Sequence, residues 1–149
     1  MDDIDQRSIK MSRNLKATPE LVWAVLTDPD HISQWWGPEG FTNTVYEMDV
    51  RPGGKWVFTM HGPDGVDYEN EFVFAIVEPF KKLVMDHIKS PKFSIYITIA
   101  EKDDGVRLDW SNVFDTIPNK EEAMRTLKAD IGLEQNLDRL QKYLQHVDD

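Results

Sequence analysis

Trp35-Trp36-Gly37-Pro38-Glu39-Gly40-Phe41, followed by Arg51-Pro52-Gly53-Gly54-Lys55-Trp56, is the stretch on which the reading of this chain turns. Two adjacent tryptophans are costly to leave in water. Each carries a large apolar area and an indole N–H that needs a partner. Gly37-Pro38 stops a helix directly after them. Arg51-Pro52-Gly53-Gly54 then forces a tight reversal into an aromatic strand. The segment therefore joins a helical part to a sheet through an aromatic corner.

Upstream, Ile9, Met11, Arg13 and Leu15 alternate with Ser8, Lys10, Ser12 and Asn14, which predicts a strand with one wet face. Thr18-Pro19-Glu20 is a helix start, with an N-cap, a proline at the first helical position and an acid in the first turn. Its apolar stripe is Leu21, Val22, Val25 and Leu26. Asp28-Pro29-Asp30 ends that helix and caps a second short one from His31 to Trp36.

Downstream the alternation is that of strands. Thr44, Tyr46, Met48 and Val50 share one face, and Trp56, Phe58 and Met60 share the next. A long strand from Tyr68 to Val77 carries Phe72, Phe74 and Ile76. Leu83 to Ile88, then Phe93, Ile95, Ile97 and Ile99, then Val106, Leu108 and Trp110 complete the set. Gly62-Pro63-Asp64-Gly65 and Lys102-Asp103-Asp104-Gly105 read as hairpin turns. After Ile117-Pro118 the spacing predicts one long helix from Asn119 to about His146. Its stripe is Met124, Leu127, Ile131, Leu133, Leu137, Leu140 and Leu144. Gly132 inside it costs roughly 1 kcal/mol relative to alanine, which points to close packing or to room for something beside the helix.

The expected fold is α+β, a single domain over residues 1–149. A six- to seven-stranded antiparallel sheet wraps on a long C-terminal helix, with two short helices after the first strand. A helix of roughly 40 Å, at 1.5 Å per residue, cannot fill a twisted sheet everywhere. Either aromatic side chains plug the gap or a cavity remains.

Composition narrows the function classes. The 149 residues carry a net charge of −10, with 17 basic and 27 acidic side chains. Such a field repels phosphate backbones, so nucleic acid and anionic membranes are not expected partners. There is no cysteine, which removes disulfides, thiolate metal sites and cysteine nucleophiles. No apolar run approaches the ~20 residues of a membrane span. The opening Met1-Asp2-Asp3-Ile4-Asp5 lacks the apolar core of a signal peptide. A cytoplasmic protein is expected, as monomer or homodimer.

Ala17-Thr18-Pro19-Glu20, Val22-Trp23, Asp28-Pro29, Trp35-Trp36-Gly37-Pro38, Phe41, Arg51-Pro52-Gly53-Gly54, Pro63-Asp64-Gly65 and a terminal helix with Gly132 occur in this order. Together they resemble the domain family related to the C-terminal part of the activator of the ninety-kilodalton heat-shock protein ATPase, within the START-like, or SRPBCC, superfamily. The resemblance spans about Ser8 to Leu144. It implies the helix-grip fold and an apolar cavity between the long helix and the sheet. Superfamily relatives use that cavity for lipids, sterols, polyketides and other largely apolar molecules, and some are cyclases or hydrolases. Many relatives carry Gly-Trp in the terminal helix, where this chain has Gly132-Leu133. The co-chaperone itself has a further N-terminal domain, for which this chain leaves no room.

Candidate site residues follow from parity. Trp36, Trp56, Phe58, Phe72, Phe74, Met85, Trp110 and Met124 read first as core; those facing the N-terminal half of the long helix, with Leu127 and Ile131, are expected to line any cavity. His87 shares parity with Leu83 and Met85 and so points inward. It is either a pocket histidine able to move a proton or a satisfied polar group near a strand end. Asn112 continues the parity of Val106, Leu108 and Trp110, as a polar point in an apolar pocket or a strand-end cap. Arg13 points inward and needs a carboxylate, for which Glu69, Glu71 and Asp86 are the candidates. His31 and His146 read as exposed, Asp103-Asp104 and Asp148-Asp149 as solvated charges. No metal spacing, catalytic triad or phosphate loop is present, and no cofactor is expected. The reading is a module that binds a small, largely apolar molecule in its cavity, more consistent with binding than with catalysis. The alternatives are a co-chaperone-like module that docks on a chaperone or other protein, and a cyclase- or hydrolase-type enzyme using the same cavity.

Overall fold

The computed structural model describes residues 3–89 and 91–147. Met1, Asp2, Asp148 and Asp149, and with them the reading of the last two as solvated charges, lie outside the described residues. The elements run β1 (Ser8–Leu15), α1 (Pro19–Thr27), α2 (Pro29–Ile32), β2 (Thr42–Met48), β3 (Lys55–His61), β4 (Asp67–Glu78), β5 (Lys82–His87), β6 (Phe93–Lys102), β7 (Gly105–Phe114), α3 (Ile117–Thr126) and α4 (Ala129–Leu144). All seven strands form one antiparallel sheet in the order β1-β7-β6-β5-β4-β3-β2. This is the expected helix-grip architecture. Among the described residues no helix is long and apolar enough to cross a membrane.

The local signals act as their chemistry dictates. Thr18 Oγ1 accepts from Leu21 N–H at 3.1 Å and starts α1. Asp28 closes α1 with its backbone and opens α2 with its side chain, which accepts from Asp30 N–H at 2.8 Å. The second helix is shorter than expected: it ends at Ile32, and Trp35 and Trp36 sit in the turns beyond it. At the reversal, Gly53 N–H donates to Phe74 O at 2.8 Å and Phe74 N–H donates to Gly54 O at 2.9 Å. The Gly-Gly pair thereby lies flat against β4.

Three further sequence expectations are corrected. In β4 a register shift between Phe74 and Ile76 takes Ile76 off the face of Phe72 and Phe74 and brings Val77 against the core. The alternation through β2 is not continuous. A register shift between Val45 and Glu47 turns Val45, Met48 and Val50 toward the core and leaves Tyr46 65% exposed, as a bulge does by adding one residue to a strand. The long C-terminal helix is two helices. Lys128 takes the left-handed conformation (φ 54°, ψ 46°) between α3 and α4, which breaks the helical phase. As a result Leu127 and Ile131, expected on the inner stripe, are 60% and 49% exposed, while Leu133, Leu137, Leu140 and Leu144 are buried.

A Cβ at Gly54 would overlap the Asp49 carbonyl oxygen, whereas at Gly53 (φ 84°) it would meet nothing within 4 Å. Gly53→Ala is therefore expected to cost about 1 kcal/mol through its backbone conformation alone. Gly54→Ala must move backbone and is expected to cost about 3 kcal/mol. Urea denaturation of the two variants separates these outcomes.

Candidate functional site

Trp36 is the centre of the aromatic corner. Its ring lies 4.8 Å from Trp56, 5.7 Å from Trp110 and 6.4 Å from both Phe58 and Phe72, centroid to centroid. The Trp56, Phe58 and Phe72 contacts are edge-to-face and the Trp110 contact is tilted; aromatic pairs of this kind add about 0.5–1.5 kcal/mol each beyond burial. Trp35 turns the other way and donates its indole N–H to Val25 O at 3.0 Å, tying the corner to α1.

The corner is held by α4. Arg139 Nη1 donates to the carbonyls of Trp36 (3.0 Å), Gly37 (3.0 Å) and Pro38 (2.9 Å), and Nη2 donates to Phe41 O at 3.0 Å. Gly37 N–H donates to Asn136 Oδ1 at 2.9 Å, and Glu39 N–H donates to Gln135 Oε1 at 3.1 Å. Burial pulls the Arg139 pKa below its ordinary value, against the opposing charge of Glu39. The sequence reading named neither Asn136 nor Arg139. Their spacing of three places them on one face of α4, but polar residues on a helix read as solvent-facing.

Between α3, α4, this corner and the sheet lies a cavity of about 240 Å³. Trp36, Phe72, Phe93, Trp110 and Leu133 supply most of its apolar wall, and Asn70, Asn112 and Asn136 its polar points. Among the described residues no acidic, basic or histidine side chain lines it. Gly132 faces it from α4. A Cβ there would meet only Pro38 Cγ, at the ordinary distance of 3.6 Å, so the glycine marks open room and not close packing.

Of the residues singled out from sequence, Trp36, Phe72, Trp110, Asn112 and Leu127 are brought together at this cavity. Trp56, Phe58, Phe74 and Met85 are buried in the core but are not on its wall. Met124 packs partly buried against the core, and Ile131 points outward. Phe93 and Leu133 were legible as inward positions and belong to the wall.

His87 is inward, 7% exposed, but stands behind Phe72 and Phe93, its ring 4.9 Å from each. Nδ1 lies 2.8 Å from Pro91 O and Nε2 lies 2.9 Å from Asn70 Oδ1. Burial pushes its pKa down, and the hydrogen bond to the Pro91 carbonyl offsets this only in part. It is a core histidine near a strand end whose two ring nitrogens both face acceptors, so the neutral ring donates to one of them and only the protonated ring to both. Arg13 pairs with Asp138 of α4 at 2.8 Å, not with Glu69, Glu71 or Asp86, because β1 packs beside α4 and is separated from β5 and β4, which carry those acids, by β7 and β6. His31 is not free: Nδ1 meets Tyr143 Oη at 2.7 Å.

Two measurements test this geometry. Arg139→Ala leaves the Gly37 and Phe41 carbonyls without a donor among the described residues, since Trp36 O keeps Asn43 Nδ2 and Pro38 O keeps the Phe41 N–H. It is expected to cost about 3 kcal/mol, with a loss of near-ultraviolet circular dichroism as the tryptophan corner loosens. For His87 the folded pKa lies below the unfolded value of about 6.5, so the unfolded chain takes up the proton first. Stability is then fully present above pH ~6.5 and falls as pH drops toward the folded pKa. In His87→Gln the urea midpoint is expected to lose that slope.

Sequence comparison with curated proteins gives no match. Solved structures of bacterial proteins share the fold. One from Nitrosomonas europaea superposes with a TM-score of 0.87 at 21% identity, covering 97% of each chain. One from Arthrobacter aurescens gives 0.88 at 19% identity, covering 100% of this chain and 92% of that one. One from Chromobacterium violaceum gives 0.80 at 24% identity over 91% and 95%. The model of the family described as "Activator of Hsp90 ATPase homolog 1-like protein" matches residues 16–145. With that match spanning the corner, β2 to β7 and both C-terminal helices, the chain belongs to this family.

Proposed function

We propose that this protein binds one small, largely apolar molecule in the cavity between α4 and the sheet. The observation that carries the reading is the wall itself. About 240 Å³ of space is lined by aromatic and aliphatic side chains, next to a helix that holds Gly132 where an alanine would fit. An apolar cavity of about 150 Å³ already takes benzene, so this one suits a molecule of one or two six-membered rings. Transfer of its surface from water contributes about 25 cal/mol per Å².

The enzyme reading needs an acid or base at the wall, and among the described residues the wall carries none; His87 is screened by two phenylalanines. Docking on a chaperone or another protein rests on family membership alone.

Leu133 is 4% exposed and forms part of the wall. Titration with an apolar fluorescent probe is expected to saturate at one site per chain. Leu133→Trp is expected to weaken that binding at least about tenfold by filling the space, at a stability cost of about 1–3 kcal/mol. Probe binding that ignores this substitution in a folded variant overturns the reading.

A further inference from the structure

Two asparagines reach the cavity from opposite walls, Asn112 from β7 and Asn136 from α4. The orientation of each amide is fixed by a partner that can only donate. Trp110 Nε1–H donates to Asn112 Oδ1 at 3.0 Å. Gly37 N–H donates to Asn136 Oδ1 at 2.9 Å. Each side chain must therefore turn its NH2 group away from that bond. Neither Nδ2 makes a hydrogen bond to a described residue, yet neither is sealed in protein: among the described residues the sealed and unpaired side-chain atoms are Asn43 Oδ1 and Trp56 Nε1. Asn136 is only 6% exposed and lines the cavity, so its free donor opens there. Asn70, the third amide on the wall, is spent, with Oδ1 against His87 and Nδ2 donating to Tyr68 O at 3.2 Å.

We infer that Asn112 and Asn136 select an uncharged ligand bearing a carbonyl-type hydrogen-bond acceptor on its apolar body. The inference rests on the cavity reading above and deepens it. The wall offers donors but no charge. A carboxylate would be desolvated there with no cation to meet it; Arg139 is committed to backbone carbonyls. An ammonium ligand would be desolvated with no carboxylate on the wall to pair with it, each amide oxygen already accepting one bond. A carbonyl accepts from one or both amides, and two polar groups in an apolar wall fix its orientation.

The test uses a matched series on the full chain by calorimetry: tetralin, tetralone, tetralin carboxylate and aminotetralin. Tetralone is expected to bind about tenfold tighter than tetralin, the effect of one well-made hydrogen bond, and both charged analogues more weakly than tetralin. Asn112→Asp and Asn136→Asp keep an oxygen for Trp110 and Gly37 but lose the free donor. Either is expected to abolish the tetralone advantage and to improve aminotetralin. Should a variant fail to fold, the side-chain NH2 resonances of the parent protein decide: those of Asn112 and Asn136 must shift with tetralone and not with tetralin. Equal binding of tetralin and tetralone, or preference for a charged analogue, overturns this inference while leaving the cavity reading intact. No binding of any of the four overturns both.

Discussion

The guanidinium of Arg139 is the constraint from which the rest of the molecule can be read. The aromatic corner is a loop of non-repeating backbone, and its carbonyls have no ladder to join. Buried without donors, each would cost about 1–3 kcal/mol. One side chain donates to four residues from Trp36 to Phe41. Asn43 Nδ2 shares Trp36 O and the Phe41 N–H shares Pro38 O, so among the described residues Gly37 O and Phe41 O depend on it alone, and Asn136 takes the Gly37 N–H. With the corner pinned, Trp36 is fixed among Trp56, Phe72 and Trp110, and one wall of the cavity stands. Because the same helix carries Gly132 and Leu133, the element that holds the corner also sets how much space is left beside it.

The other walls come from the sheet. The strand order places β7 and β6 beside one another and β4 and β3 further along the same sheet. Asn112 on β7 and Asn70 on β4 thus face the space from separate parts of one surface. Antiparallel pairing keeps inward positions in register, Asn112 opposite Ile95 and Phe72 opposite His87. Phe93 and Phe72 come between His87 and the space, which is why a buried titratable group contributes to pH-dependent stability and not to the wall.

Much of this was legible in the residues. Strand alternation is clean in β1, β6 and β7 because one face of each meets the core, and the caps at Thr18 and Asp28 have a single local chemistry. Three features were hidden for physical reasons. The bulge at Val45 keeps a β-like composition, so only pairing reveals it. The break at Lys128 leaves the apolar pattern unbroken, though the step from Ile131 to Leu133 is two residues, which no helical stripe makes; that slip was the available signal. Asn136 and Arg139 look like solvated helix residues, because nothing local says that a loop a hundred positions away needs donors. Of the candidate wall, the aromatic half and Asn112 came from parity, and Asn70 and Asn136 came only with the fold.

The split between α3 and α4 has an energetic corollary. Among its described side chains α3 fully buries only Ala123, whereas α4 buries Leu133, Asn136, Leu137, Leu140 and Leu144. Detaching α3 therefore exposes little apolar surface, and its amides belong to the part of the chain that opens to exchange well below the global unfolding free energy. Ala123 and Leu127 border the cavity. Its rim thus coincides with the least anchored helix, so the residence time of an occupant is tied to a local opening rate as well as to the contacts inside.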